Sequence, residues 1–339
     1  MHRTLAQAEA LTEKGQWREA IALLGSANRL KPEVELERRL VDLRIQAHPA
    51  IDWPQPATPW AGDWAHVAPG TPAIFEIDAA DFNAENLAEG VLGHGALIVR
   101  NLVSREVSEE LIEHIENTIT AREHDATEAS PWDYQSPFVT GKPGQFQSKD
   151  AAKRAKVKKG SIWVPESPRT MQRLIELYDE IGLRAILSDY LGEAPALSVR
   201  KWVLRRIMPD AMEAGWHQDG KFMGTEYNSV NMWLPLSECG EGARAAGMEI
   251  MPNLSRKIFE TGTRGAAFKW TVGKELVEDL KKDWPIQHPH FNPGDALFFD
   301  HYNLHRTAFG EHLTEPRYAV ESWFFGSSGI PAKQMPILF

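Results

Sequence analysis

The 339-residue chain is almost without cysteine: Cys239 is the only one, so no disulfide can form within the chain. It also lacks any apolar run close to the roughly 18 residues that a membrane-spanning helix needs. Its first residues lack the continuous apolar stretch of a secretory signal. These absences are typical of a protein of the reducing cytoplasm, and that is the location we expect.

The chain also lacks an excess of positive charge, since 47 acidic residues outnumber 37 lysines and arginines. The formal net charge of −10 argues against general affinity for nucleic acid or for an anionic membrane, because both kinds of binding need a basic face. The exception is residues 142–159, where seven lysine and arginine side chains accompany one acidic residue, Asp150. Two interpretations stay open for this segment: a solvated loop, or a lid that attracts an anionic substrate.

The order of patterns along the chain predicts three parts. Residues 1–49 are similar to one tetratricopeptide-type helix-turn-helix followed by a third helix, residues 50–90 form a proline-rich linker, and residues 91–330 form the main domain. A single helical repeat cannot bury its apolar face alone. We therefore expect it to pack on the main domain or on a second copy of the chain, or else to recruit a partner such as a carrier protein.

In the main domain, helices come first and strands follow. The predicted elements are a strand at 96–102, a helix at 104–123 capped by Ser104, a helix at 168–191 ended by Gly192, and strands from residue 197 onward with an irregular insertion near 254–283. Helices followed by many short strands predict an α+β domain whose sheets form a sandwich or barrel.

Metal-binding chemistry is indicated by His217-Gln218-Asp219, which lies between Gly215 and Gly220 after a strand pattern. Two histidines and one carboxylate bind one face of a non-haem Fe(II) and leave positions open for a co-substrate and dioxygen. The candidates for the second histidine are His288, His290, His301, His305 and His312. A strand predicted from Ala296 to about Thr307 places His301, Asn303, His305 and Thr307 on one face, and we select His305.

A further strand, predicted from Arg317 to Phe325, places Arg317 and Glu321 on one face. The planar guanidinium of Arg317 suits the distant carboxylate of a 2-oxo acid that chelates the metal. A surface charge, or a pair with Glu321, is the alternative for this residue. Arg306 is a second candidate for the carboxylate, but strand alternation points it away from His305.

The segments GWHQDG, VNMWLPL, GMEIMPN, NPGDALFFDHYNLHRT and RYAVESWFF resemble successive landmarks of the phytanoyl-CoA dioxygenase-like family of Fe(II)/2-oxoglutarate-dependent oxygenases. The resemblance covers roughly residues 90–327 and implies a double-stranded β-helix, the jelly-roll or cupin-like scaffold, with flanking helices. It also implies site roles. These are His217, Asp219 and His305 as iron ligands, Arg317 on the 5-carboxylate of 2-oxoglutarate, Thr307 as an assisting hydroxyl, and Asn231, Lys201 and Arg206 as further candidate contacts of 2-oxoglutarate.

The activity that the resemblance implies is oxidation of an unactivated C–H bond in a small or medium metabolite, anionic if the basic segment is a lid. 2-Oxoglutarate and dioxygen would be consumed, and succinate and carbon dioxide released. Related radical halogenases lack the carboxylate ligand, so the presence of Asp219 favours hydroxylation or another oxidation without halide. The apolar walls expected around the site are Trp216, Trp233, Phe299 and Trp323.

Two alternatives stay open at this point. A zinc hydrolase would use the same side chains, since Zn²⁺ also binds two histidines and a carboxylate with a position left open. A non-catalytic binding module would instead use the N-terminal helices to hold a partner.

Overall fold

A computed structural model describes residues 1–56, 64–123, 130–133, 160–211, 215–330 and 332–339. The basic segment at 142–159 therefore lies outside the described residues, as do residues 57–63 of the proline-rich linker. Within the described parts, no helix combines the length and the apolarity that crossing a bilayer requires.

The first fifty residues are helical, as the sequence predicts. The helices are α1 (His2–Glu13), α2 (Trp17–Leu30) and α3 (Val34–Ala50). Their shared apolar core, which includes Leu24 and Leu40, also takes in Leu338 from the other end of the chain. Arg44 Nη1 donates to the Leu338 carbonyl at 2.9 Å. The apolar face of this helical unit is thus covered within the chain, while its likeness to a tetratricopeptide repeat stays a prediction.

The following elements lead into a large sheet. They are β1 (Ala73–Asp78), α4 (Ala84–Ala88), a π-helical turn (Glu89–His94), β2 (Gly95–Arg100), α5 (Arg105–Glu123) and β3 (Ser161–Trp163). Strand β2 and helix α5 agree with the predicted elements to within two residues. Ser104 precedes α5, and its hydroxyl accepts a hydrogen bond from the Val107 amide at 3.3 Å, as an N-cap does.

The helix predicted over residues 168–191 is two helices, α6 (Pro168–Glu180) and α7 (Leu183–Leu191). The single-helix prediction is wrong because Gly182 adopts a φ of 70°, a left-handed conformation that ends a helix. Helix α7 ends at Gly192, also left-handed with φ 71°, as predicted.

The remaining elements are mainly strands. They are β4 (Pro195–Ile207), α8 (Gly220–Met223), β5 (Ser229–Pro235), β6 (Cys239–Gly240), β7 (Met248–Met251), α9 (Lys274–Leu280), β8 (His290–Phe291), β9 (Ala296–Phe299), β10 (Leu304–Thr307), β11 (Arg317–Gly326) and β12 (Pro336–Leu338). The large sheet has the order β1-β2-β9-β5-β11-β4-β12, with β3 paired to β4. Two shorter antiparallel ladders, β7–β10 and β6–β8, are separate from it.

The large sheet is covered on both faces. One face packs against α5, α6 and α7 through an apolar cluster that includes Leu111, Leu174 and Leu187. The other packs against the short ladders, with Trp233 and Trp323 from the large sheet meeting Ile250 of β7 and Phe291 of β8 in a second cluster. The chain is therefore a mixed α/β protein with a large central sheet opposed by smaller ladders.

The strand predicted from Ala296 to about Thr307 is also wrong as a single element. It consists of β9 in the large sheet and β10 in a short ladder. The chain turns between them because the Asp300 carboxylate accepts from the Tyr302 amide at 2.8 Å and the Asn303 amide donates to the Asp300 carbonyl at 3.2 Å. His301 and Asn303 therefore do not continue the face that carries His305.

Candidate active site

Two histidines from distant parts of the chain are joined through their backbones. The His217 amide donates to the His305 carbonyl at 3.0 Å, and the His305 amide donates to the His217 carbonyl at 3.1 Å. This antiparallel bridge extends the ladder of β10, and it brings the two imidazole rings to a centroid distance of 4.4 Å.

The ring orientation of both histidines is set by main-chain carbonyls. His217 Nδ1 lies 3.0 Å from the Gly215 oxygen, and His305 Nδ1 lies 3.2 Å from the Asn303 oxygen. Because a carbonyl oxygen can only accept, each Nδ1 carries the proton and each Nε2 keeps its lone pair. A neutral imidazole held in this way is ready to bind a metal ion through Nε2.

Asp219 completes the group. One ligand atom from each of His217, Asp219 and His305 can be chosen so that all lie within 4.8 Å of one another. Asp219 Oδ2 is 3.8 Å from His305 Nε2, while Oδ1 accepts a hydrogen bond from Lys201 Nζ. The carboxylate therefore turns one oxygen toward the histidines and the other toward a lysine.

Gln218, between the two ligand candidates, anchors the segment. Its side-chain amide donates to the carbonyls of Lys257 at 2.8 Å and Tyr302 at 2.6 Å, and its oxygen accepts from the Phe259 amide at 2.7 Å. The side chain is 1% exposed. It ties the His217–Asp219 turn to the insertion before α9 and to the turn before β10.

Burial and neighbouring charges keep the group in the protonation states that a metal needs. Burial, with help from His305, lowers the pKa of His217 to about 4, and burial also lowers the pKa of His305. Burial alone would raise the pKa of Asp219, but Lys201, His305 and His217 outweigh it and hold that pKa well below its usual range. At neutral pH the site presents two neutral imidazoles and one carboxylate.

These three residues line a cavity of about 1180 Å³, and Arg317 lines the same cavity. Arg317 is 2% exposed, and its guanidinium lies over the Trp233 ring at 5.1 Å. Nη1 donates to the Ala246 carbonyl at 3.3 Å, whereas the buried Nε has no hydrogen-bond partner. Burial lowers the pKa of Arg317 to about 10, so the group is still charged at neutral pH.

Of the other predicted contacts of 2-oxoglutarate, three line the cavity: Thr307, Asn231 and Lys201. The Oδ1 atom of Asn231 is buried without a hydrogen-bond partner. Lys201 is bound to Asp219 rather than standing free. The prediction for Arg206 is wrong in its placement, because this side chain leaves β4 on the opposite side and Nη1 donates to Glu116 Oε2 of α5 at 2.7 Å.

The other histidine candidates for the metal site, and the other arginine candidate for the carboxylate, have different partners. His301 Nδ1 is 2.8 Å from the Ser229 hydroxyl, and His288 and His290 lie beside Glu249 and Glu238. Arg306 points away from His305, as alternation predicts, and pairs with Glu249 of β7. Of the four expected apolar walls only Trp233 lines the cavity. Trp216, Phe299 and Trp323 pack in the apolar clusters behind it.

Several cavity residues were not predicted. Arg205 lies on β4, and its Nε donates to Glu321 Oε2 at 2.9 Å; its even spacing from Lys201 on the same strand could have revealed it. Phe222, Phe268 and Trp270 come from a short helix and an irregular insertion. No sequence period marks side chains that meet from such segments.

No protein-family model matches the chain, and no curated protein matches it. Among solved structures, the chain is similar to three structures of EctD from S. alaskensis. With 2-oxoglutarate and 5-hydroxyectoine the TM-score is 0.51 at 15% identity, over 78% of this chain and 85% of EctD. For the apoform the TM-score is 0.52 at 14% identity, over 83% of this chain and 86% of EctD. For the structure with bound Fe the TM-score is 0.50 at 14% identity, over 78% of this chain and 85% of EctD.

At this level of identity the likeness shows a shared fold. It supports the jelly-roll part of the predicted architecture, since the similarity covers most of both chains. Membership of the phytanoyl-CoA dioxygenase-like family stays a prediction.

Proposed function

We propose that the protein is an Fe(II)- and 2-oxoglutarate-dependent dioxygenase that hydroxylates or otherwise oxidises an unactivated C–H bond of a small or medium metabolite and releases succinate and carbon dioxide. The observation that carries the proposal is Arg317. A buried cation whose Nε lacks a partner is costly to maintain, and this one shares a cavity with two histidines and a carboxylate. A metal-chelating oxo acid with a second carboxylate satisfies both features at once.

The residues fit these two groups. His217 Nε2, His305 Nε2 and one oxygen of Asp219 would hold Fe(II), a donor set that suits this ion and leaves positions open. Arg317 would bind the far carboxylate of 2-oxoglutarate by charge-assisted hydrogen bonds, with Thr307 and Asn231 as neighbouring polar contacts. The bound iron supplies the activation of dioxygen, coupled to decarboxylation of the oxo acid.

The protein itself orients the metal ligands and the substrate and excludes water. The carbonyls of Gly215 and Asn303 fix the orientation of the two imidazoles. Trp233 covers one face of the Arg317 guanidinium and keeps water from it, which strengthens its attraction for a carboxylate. The cavity walls orient the carbon to be oxidised. The fold shared with EctD, which was crystallised with 2-oxoglutarate and with Fe, supports this assignment.

The test is formation of succinate by the purified protein. We expect succinate only when Fe(II), 2-oxoglutarate and oxygen are all present, at a slow basal rate without the true substrate. Mn²⁺ should bind in place of Fe(II), and 2-oxoglutarate should bind only after it. Metal-dependent hydrolysis without oxygen or oxo acid would instead establish a zinc hydrolase. Absence of any metal binding would leave the non-catalytic alternative.

A further inference from the structure

The cavity is much larger than the co-substrate. A five-carbon diacid near Arg317 and the metal ligands fills only a small part of about 1180 Å³, a volume slightly above the usual range for pockets that hold drug-sized ligands. The remaining space must suit the molecule that is oxidised, so its walls report the chemistry of that molecule.

One wall is unusually apolar for a surface exposed to water. Six large apolar side chains in the described residues are exposed, and four of them line this cavity: Met208, Phe222, Phe268 and Phe309. Scattered exposed apolar residues are ordinary, but a cluster of them at one opening marks a binding surface.

The aromatic members of this wall are in contact with one another. Trp270 is stacked on Phe268 with ring centroids 5.4 Å apart and an interplanar angle of 4°, and it meets Phe222 at 5.6 Å. Trp270 also lies edge-on to the metal-ligand candidate His217 at 5.6 Å. An aromatic surface therefore runs from the cavity opening to the metal position.

The charged side chains that line the cavity are mostly cationic. Among the described residues, five lysine and arginine side chains and three carboxylates line the cavity, although the chain as a whole has a net charge of −10. The charges of Fe(II) and of the 2-oxoglutarate dianion cancel. The cavity lining therefore has a net positive charge, which favours an anionic substrate. Lys333 contributes to this charge.

We propose that the molecule oxidised has a planar, apolar ring system that packs on Trp270 and Phe222, and an anionic group that is attracted by the net positive charge of the cavity lining. The inference rests on the proposed function, because the metal and 2-oxoglutarate define which end of the cavity the ring must reach. Trp270 acts in it as the residue that selects for flat, apolar substrates.

The experiment uses calorimetric titration of the full-length protein loaded with Mn²⁺ and 2-oxoglutarate. The probes are naphthoate, the saturated anion decahydronaphthoate, neutral naphthamide and cationic naphthylmethylammonium. Aromatic packing distinguishes flat from saturated rings by about tenfold at most per contact, so naphthoate should bind about tenfold tighter than decahydronaphthoate. It should also bind more tightly than the neutral and cationic probes.

The variants Trp270→Leu and Phe222→Leu keep apolar bulk but remove a flat ring. Each should remove most of the preference for naphthoate over decahydronaphthoate, which a merely structural defect would not do. Trp284→Leu is the matched control, since Trp284 follows α9 and packs on Phe259 of the insertion with centroids 5.9 Å apart, away from the cavity. Its preference should equal that of the unsubstituted protein.

The position of the ring is tested by NMR. Mn²⁺ should broaden the ring proton signals of bound naphthoate, whereas Zn²⁺, which is diamagnetic, should not. Equal affinity for the planar and saturated anions, a preference for the cation, or retention of selectivity in both leucine variants would overturn the inference while leaving the proposed function intact. Failure to bind Mn²⁺ and 2-oxoglutarate at all would remove the proposed function, and this inference with it.

Discussion

The two ends of the cavity, one at the metal-ligand candidates and the other at Arg317, differ in how many of their polar atoms have hydrogen-bond partners. At the metal end, each polar atom that turns away from the ion position has a partner in the protein: both Nδ1 atoms face carbonyls and Asp219 Oδ1 is bound by Lys201. At the other end, Arg317 Nε and Asn231 Oδ1 are buried without hydrogen-bond partners. At the metal end, the protein thus satisfies every outward-facing polar atom of the three ligand candidates. At the Arg317 end, two buried polar atoms lack a hydrogen-bond partner.

The difference teaches where binding energy comes from at each end. A metal gains affinity when its ligands are already oriented, because no reorganisation opposes binding. An anion gains affinity when it finds buried donors that are dry and unpaired, because their desolvation has already occurred in the folded protein. The following predictions test this contrast.

The largest effect is expected at the metal end. Loss of an outer hydrogen-bond partner of a metal ligand typically costs about 10- to 100-fold in metal affinity, so His217→Ala, which removes a ligand itself, should cost at least about 100-fold. Mn²⁺ titration followed by electron paramagnetic resonance measures this, and succinate formation should vanish in parallel. Folding should be retained, since the backbone bridge to His305 does not need the ring.

His288→Ala is the matched control for that variant. His288 is half exposed beside Glu249, with 54% of its side chain accessible, and it does not line the cavity. Its loss should leave Mn²⁺ affinity unchanged. If instead the two alanine variants bound Mn²⁺ equally well, the metal would have to be placed elsewhere.

At the Arg317 end we expect an effect on the co-substrate alone. Hydrogen bonds to charged groups contribute about 1.5–3 kcal/mol each, so Arg317→Met should weaken 2-oxoglutarate binding by about 10- to 100-fold and leave Mn²⁺ affinity unaltered. The free energy of unfolding without ligands should not fall, because a buried cation whose Nε lacks a hydrogen-bond partner is replaced by an apolar chain of similar length. Calorimetry with 2-oxoglutarate and thermal unfolding measure the two effects.

Arg306→Met tests whether Arg317 or Arg306 binds the far carboxylate of 2-oxoglutarate. Arg306 is paired with Glu249 and lies over the Trp216 ring at 5.0 Å, so its removal should reduce stability without changing 2-oxoglutarate affinity. Loss of affinity in this variant, with normal affinity in Arg317→Met, would transfer the role to Arg306.

A smaller effect of opposite sign is expected from Lys201→Met. The Lys201 ammonium lies beside the Asp219 carboxylate and competes with the metal ion for its negative charge. Removing the lysine should therefore raise Mn²⁺ affinity by about three- to tenfold. Without metal the same variant should be less stable, because Asp219 loses its cation. Lys221→Met, which removes an exposed charge from α8, should change neither quantity. A fall in Mn²⁺ affinity in Lys201→Met would show that the lysine orients Asp219 instead of competing for it.

Much of this site could be predicted from periodicity within single strands. Strand β11 was predicted almost to its ends, and alternation along it puts Arg317 and Glu321 into one cavity, as observed. The same rule shows why the prediction failed on β4. Arg206 is adjacent to Arg205, which lines the cavity, so alternation turns Arg206 to the other face. The rule does not hold earlier on this strand, where the neighbours Arg200 and Lys201 both line the cavity beside a register shift.

The rest depends on turns and on long-range packing. The break between β9 and β10 comes from Asp300, whose carboxylate bonds locally to the Tyr302 amide, and such competition between side chain and sheet is hard to weigh from sequence. The meeting of Phe222 with Trp270 requires the short helix α8 and an irregular insertion to converge. Gln218 ties the segment before α8 to Lys257 and Phe259 of the insertion, but nothing in its sequence neighbourhood distinguishes it from a surface glutamine.

The smallest effect expected is at Asn231, and it tests whether the incompleteness of the Arg317 end extends beyond the guanidinium. Asn231→Ala removes the buried Oδ1 that lacks a partner, so stability should change little. It also removes Nδ2, the atom of this side chain that can donate to 2-oxoglutarate, and with it a hydrogen bond of about 1 kcal/mol. We expect 2-oxoglutarate affinity to fall about fivefold in calorimetric titration. Asn253→Ala is the contrasting control, since Asn253 Nδ2 donates to the Tyr302 carbonyl at 3.2 Å outside the cavity: stability should fall and affinity should hold. Equal behaviour of the two variants would confine the unsatisfied end of the cavity to Arg317.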